Sequence, residues 1–135
     1  MKICDMKRVF LASHLALILL FSIIRVNAQS SIIGNPIKIE SIEVAQFEFP
    51  NRMNWNDASL ACSALGDGWR LPTETELIFL LKNRYKISNF NTQGFHWTSK
   101  VDRDSKLAVA GGLLADDEQF NLVEKSDLEI VRAVR

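Results

Sequence analysis

Cysteine is nearly absent from this chain. Of the 2 cysteines in 135 residues, Cys4 lies in an N-terminal stretch laid out like a leader, which leaves Cys62 alone in the rest. A lone thiol makes no intramolecular disulfide, no two-cysteine redox centre and no cysteine-rich zinc site. The domain must then rest on its hydrophobic core. Histidine is as scarce: beside His14 in the leader, only His96 remains. One His with one Cys supports neither a histidine-based zinc site nor a Cys–His nucleophile pair. Net charge is absent too, with 16 basic and 16 acidic residues. A nucleic-acid binder normally carries a basic surplus, so no nucleic-acid partner is expected. There is no internal repeat, no low-complexity segment and no serine in a nucleophile-elbow context. "GDG" at 66–68 lacks the further glycines and the Lys-Ser/Thr of a phosphate loop.

One long apolar run is present. Lys2, Lys7 and Arg8 precede "VFLASHLALILLFSII" (9–24), and "VNA" (26–28) supplies small residues just after it. Positive region, apolar core and cleavage site in this order make a secretory signal peptide. The rival reading is an uncleaved anchor, but the run falls short of the roughly 20 residues that span a bilayer. Residues 1–28 are therefore expected to be removed, leaving no stable membrane span. No cysteine-based lipidation site follows the run. Removal takes Lys2, Lys7, Arg8, Arg25 and Asp5, so that 12 basic and 15 acidic residues remain, a net charge of −3. Residues 29–41 read as a leader and the start of a strand, and 42–135 as one domain.

"IKIESIEVAQFEF" (37–49) alternates: Ile37, Ile39, Ala45, Phe47 and Phe49 fall on one face, Lys38, Glu40, Gln46 and Glu48 on the other. The spacing predicts a half-buried strand. Asn54 is a good N-cap for a helix with Trp55, Ala58, Cys62 and Leu65 on one face, and Gly66 supplies its left-handed stop. Pro72 sets an extended approach to a second helix. Thr73 and Glu76 have capping-box spacing there, and "LIFLL" (77–81) predicts burial. "GFHWTS" (94–99), "KLAVAGGLL" (106–114, one strand or two broken at Gly111–Gly112), "EQFNLVE" (118–124) and "LEIVRAVR" (128–135) are strand candidates. Strand, two helices, then short strands is an α+β order.

The candidate ligand-binding residues are Phe95, His96 and Trp97, an aromatic cluster suited to a sugar face, with Asp116 and Asp117 in the acidic "ADDE" near a turn. That cluster matches no EF-hand spacing, and "WND" (55–57) reads as a helix cap rather than a calcium motif. Trp55, Cys62, Trp69, Arg70, Pro72, Thr73, Glu76 and Arg132 read as structural. Small domains usually spend tryptophan on their core, and a guanidinium among apolar residues needs a carboxylate partner, such as Glu76 or Asp67. No catalytic residue, metal or cofactor is expected.

"MNWNDASLACSALGDGWRLPTETELIFLL" (53–81), "HWTS" (96–99) and the ending "VRAVR" (131–135) together resemble the Lcl C-terminal domains, small secreted bacterial domains of unknown function. That family is similar to the formylglycine-generating-enzyme and C-type-lectin-like superfamily. The resemblance spans about residues 42–135. It implies two helices packed on a small, twisted, mostly antiparallel sheet with N- and C-terminal strands adjacent. It implies no reaction, because the sulfatase-modifying enzymes use a cysteine pair that this chain lacks. Relatives look as if they pair the cysteine matching Cys62 with one near the terminal strand, where this chain has Ala133. They also often carry Tyr-Trp-Ser-Ser-Thr where His96–Lys100 stand, and an aromatic-rich segment in place of "LAVAGGLL".

The resulting expectation is an exported, non-catalytic domain that binds a protein or glycan at a bacterial cell envelope through loops 86–95 and 100–127. The alternatives are an accessory subunit of an envelope assembly and an enzyme of the formylglycine-generating type, which would require a reactive Cys62.

Overall fold

A computed structural model of the chain describes residues 16–18, 32–103 and 106–135. The chain divides into two compact units, Met1–Ser31 and Ile32–Arg135. In the first, residues 16–18 are helical, with Leu17 and Ile18 exposed. The expected cleavage site lies outside the described residues. No helix among the described residues is long and apolar enough to cross a membrane. The second unit carries the fold.

Its alternating first segment is a hairpin rather than one strand. Glu40 adopts a left-handed backbone (φ 54°), so β1 (Ile37–Ile39) and β2 (Ile42–Val44) run antiparallel with Ile39 opposite Ile42. Part of the presumed leader also joins the fold, since Ile33 is buried in the core. Past β2 the chain pairs with the C-terminus: the Ala45 N–H donates to Ala133 O (3.0 Å) and the Phe49 N–H to Val131 O (2.9 Å).

Helix α1 spans Trp55–Ala64, and the Asn54 side chain accepts from the Asp57 N–H as an N-cap. Gly66 leaves the helix at φ 74°. Helix α2 spans Glu74–Lys82 behind a complete Thr73–Glu76 capping box, and a 3-10 turn, Arg84–Lys86, follows. Between the helices, Arg70 and Val134 exchange both backbone hydrogen bonds at 2.9 Å, and Pro72 O accepts from the Ser99 N–H at 2.8 Å. Residues 66–77 thus form a joint tied to the C-terminus and to the sheet.

That sheet has the order β3-β4-β5, all antiparallel: β3 (His96–Val101), β4 (Leu107–Leu114) and β5 (Asp117–Glu124). β4 runs unbroken through Gly111–Gly112. The glycines serve close approach: a Cβ on Gly111 would run into the Phe120 ring, and one on Gly112 would lie 2.6 Å from Gly94 O. Helix α2 packs over β3 and β4, and α1 touches β3. The expected closing strand is an extended segment making single bridges instead, from Glu129 to Met53, Ile130 to His96 and Val134 to both Val44 and Arg70. It is a seam that joins β2, the approach to α1, the joint between the helices and β3. One buried cluster gathers Cys62, Trp69, Trp97, Ala108 and Ala133. A second gathers Ile39, Val44, Leu80, Ile87 and Val134.

The β4–β5 turn is Ala115–Asp116, with φ of 51° and 70°. A two-residue hairpin with both φ positive wants Asn or Gly first, and alanine there carries about 1 kcal/mol of steric cost. Ala115→Asn is expected to raise stability by about 0.5–1 kcal/mol, read as a higher melting temperature; an unchanged or lower one would contradict the strain.

Candidate functional site

The residues with the most conspicuous chemistry are inside. His96 and Trp97 are only 1% and 0% exposed, because the first half of β3 is covered on both faces. The Trp97 indole N–H donates to Met53 O at 2.7 Å. Neither side chain offers a surface to a sugar, and Phe95 is itself half-buried against the core. The aromatic cluster expected to bind ligand is therefore part of the packing. The other tryptophans are also occupied. Trp55 is half-buried, donates to Thr98 O at 2.8 Å and lies under the Lys125 ammonium at 4.4 Å. Trp69 is buried with the Arg135 guanidinium 4.8 Å above its ring.

Beside Trp97 sits a polar cluster that sequence reasoning missed. Glu48 Oε1 accepts from Arg132 (3.1 Å), from the Asn91 backbone N–H (3.0 Å) and lies 3.0 Å from His96 Nε2. A carboxylate only accepts, so Nε2 carries the proton. Burial pushes the Glu48 carboxyl up, but these hydrogen bonds and the charge of Arg132 outweigh it and hold it below its ordinary value. Arg132 also donates to Ala45 O (2.9 Å), Gln46 O (3.0 Å) and Asn89 O (3.1 Å). Phe90 stacks on His96 at 4.9 Å and lies 5.0 Å below the Arg132 guanidinium. The cluster thus grips three successive residues, the Asn89 carbonyl, the Phe90 ring and the Asn91 N–H. It fixes much of the loop expected at 86–95 from within.

Arg70 takes one of the two partners expected for it. Its guanidinium forks onto Glu76 at 2.7 and 2.8 Å, while Glu76 also accepts from the Thr73 N–H at 2.8 Å. Those bonds, Arg70's first, outweigh burial and hold the Glu76 carboxyl down at about 2. A carboxyl whose folded value is depressed stabilises the fold above its unfolded value and ceases to do so as pH falls through the folded one. Glu76→Gln is therefore expected to be less stable than the parent at neutral pH, with the difference closing between about pH 4.5 and 2. Urea midpoints across that range check this; a constant gap would refute it.

Segment 100–127 is mostly strand, not loop. Asp116 sits at the exposed β4–β5 turn, 3.6 Å from Arg84, and Asp117 opens β5. No cluster of three or more His, Cys, Asp or Glu able to hold a metal occurs among the described residues. The same hairpin, however, frames an open groove of about 330 Å³ lined by Glu74, Lys100, Val101, Asp102, Val109, Phe120, Asn121 and Leu122. Val101 is 44% and Leu122 55% exposed. Lys100 is already paired with Glu74 at 2.7 Å. The groove has a mixed lining, with Val101, Val109, Phe120 and Leu122 among Glu74, Lys100, Asp102 and Asn121, on the sheet face that α2 leaves uncovered toward β5.

No family model matches this chain, and no curated protein matches it in sequence. Among solved structures, botrocetin aligns with a TM-score of 0.57 at 13% identity, over 76% of this chain and 96% of its own. EMS16, an antagonist of the collagen receptor integrin α2β1, aligns with a TM-score of 0.54 at 13% identity, over 73% of this chain and 94% of its own. The fold is C-type-lectin-like.

Within this C-type-lectin-like domain Cys62 is fully buried beside Ala133 in one core cluster. Burial pushes its thiol up to about 12. A thiol so placed supplies almost no thiolate at neutral pH and no nucleophile to a substrate. Native protein is expected to show negligible Cys62 labelling by a thiol reagent over hours and complete labelling in urea; rapid native labelling would reopen the reading as a cysteine enzyme.

Proposed function

We propose that this chain is an exported, non-catalytic binding domain of a bacterial cell envelope that recognises a protein or glycan. The observation that carries the reading is the exposed groove between α2 and β5, in which Val101, Val109, Phe120 and Leu122 lie among polar residues, on a domain whose one histidine and one cysteine are both buried. Apolar side chains gathered among polar ones in a concave surface are what recognition sites present. The C-type-lectin-like fold supports it, because EMS16, which shares that fold, is an antagonist of an integrin. The signal-peptide pattern of residues 1–28 supports export. The resemblance of residues 42–135 to Lcl C-terminal domains supports a bacterial envelope address.

The test is saturable binding to glycan and envelope-protein arrays, with Leu122→Asp as the comparison. Leu122 is largely exposed, so the variant keeps its fold. Binding that the substitution removes supports the proposal. A folded protein that binds nothing, or binds equally well with Leu122→Asp, counts against it.

A further inference from the structure

We infer that the groove, together with the outer edge of β5, captures an extended segment of a partner protein, apolar at its centre and basic at its ends. The inference rests on the binding-domain reading and names the partner's chemistry.

Among the described residues β5 is the outermost strand of its sheet, paired along its eight residues with β4 alone. Leu114 and Asp117 flank the two-residue turn, the position of a doubly hydrogen-bonded pair. Alternation then turns the backbone groups of Asp117, Gln119, Asn121 and Val123 toward β4, and those of Glu118, Phe120, Leu122 and Glu124 outward. An added strand has N–H and C=O groups waiting at these four residues, the mode of recognition called β-augmentation.

The side chains of the same four residues share one face. Phe120 and Leu122 line the groove, with Val109, which pairs with Leu122 across the ladder, beside them. An incoming strand at the outer edge would lay two alternate apolar side chains against Phe120 and Leu122, which form the β5 wall of the groove. Glu118 and Glu124 stand on that face at either end.

Charge selects the occupant. From Leu107 to Glu124 the hairpin carries Asp116, Asp117, Glu118 and Glu124 and no lysine or arginine. Opposite charges facing one another across strands stabilise the pairing, and like charges oppose it. A second copy of this chain is disfavoured on this ground. The antiparallel register that sets Phe120 against Leu122 of another copy also sets Glu118 against Glu124, twice.

The experiment titrates the full chain with the peptide Lys-Thr-Val-Thr-Val-Thr-Lys and with its counterpart carrying Glu at both ends, following backbone amide shifts. The lysine peptide is expected to bind saturably and shift Glu118, Phe120 and Leu122. The glutamate peptide should bind at least about tenfold more weakly, since like charges then face each other. Leu122→Pro removes an outward N–H without breaking a β4 bond, a place where an edge strand tolerates proline; it should lose binding. Glu118→Lys with Glu124→Lys should invert the preference and serves should the proline variant fail to fold. No binding at millimolar peptide, equal binding of both peptides, or shifts confined elsewhere would overturn the inference. So would a dimer in light scattering with β5 protected from exchange, which identifies a second copy. If an array partner shifts only amides remote from β5, the binding-domain reading stands and this inference falls.

Discussion

Replacing Trp97 by alanine is expected to destabilise the domain by about 3–5 kcal/mol, the range for deleting a buried aromatic side chain. Trp97 is fully buried in the larger core cluster and its indole N–H donates to Met53 O at 2.7 Å. Removing it leaves a void between β3 and the C-terminal segment, and forfeits the hydrogen bond as well. Were Trp97 a displayed platform for a sugar, the same change would fall within about 0.5 kcal/mol, as surface substitutions do. Urea denaturation separates the two outcomes widely. Since whole domains of this size are stable by only about 5–15 kcal/mol, the variant should also melt far below the parent.

Arg132→Ala is expected to cost a comparable amount, about 3–5 kcal/mol, by a different route. Its side chain is 1% exposed and facing a carboxylate that is 14% exposed. Truncation leaves Glu48 without its cationic partner and removes the donor shared by the Ala45, Gln46 and Asn89 carbonyls. Breaking a buried ion pair from one side is far more costly than replacing both partners together. Glu48→Gln combined with Arg132→Met should therefore be more stable than Arg132→Ala, although it carries two changes. A double variant as unstable as Arg132→Ala would show that backbone anchoring, rather than the stranded charge, carries the cost. In Arg132→Ala the amides of 88–92 should also exchange faster, because the Asn89 carbonyl and Phe90 ring lose their anchor.

What the sequence disclosed follows the range of the forces involved. The stretch 66–77 was legible almost residue by residue. Gly66 stops α1, and Thr73 with Glu76 starts α2; these are short-range hydrogen bonds and backbone preferences, written into adjacent positions. Asn54 capped its helix for the same reason. The β1–β2 hairpin was not legible, because its turn is Glu40–Ser41 and carries none of the Asn or Gly that announce such turns. The Glu48–Arg132 pair spans 84 positions, a separation over which no local rule connects two charges. Arg132 was recognisably in need of a carboxylate, but not of that one. His96 and Trp97 misled for a physical reason. Alternation distinguishes a buried face from an exposed one, and β3 is covered on both faces at its start. The groove was hidden likewise. Phe120 and Leu122 sit in a weakly alternating segment, and only the fold brings them beside Val101 and Val109.

His96 and Trp97 are interior, and the proposed recognition surface is the sheet face beside β5. Solvent paramagnetic relaxation with an inert gadolinium chelate tests this without any ligand. The side-chain protons of Val101 and Leu122 should relax strongly, while those of His96, Trp97 and Cys62 should be nearly unaffected. Strong enhancement at His96 and Trp97, with Val101 and Leu122 shielded, would contradict the account outright.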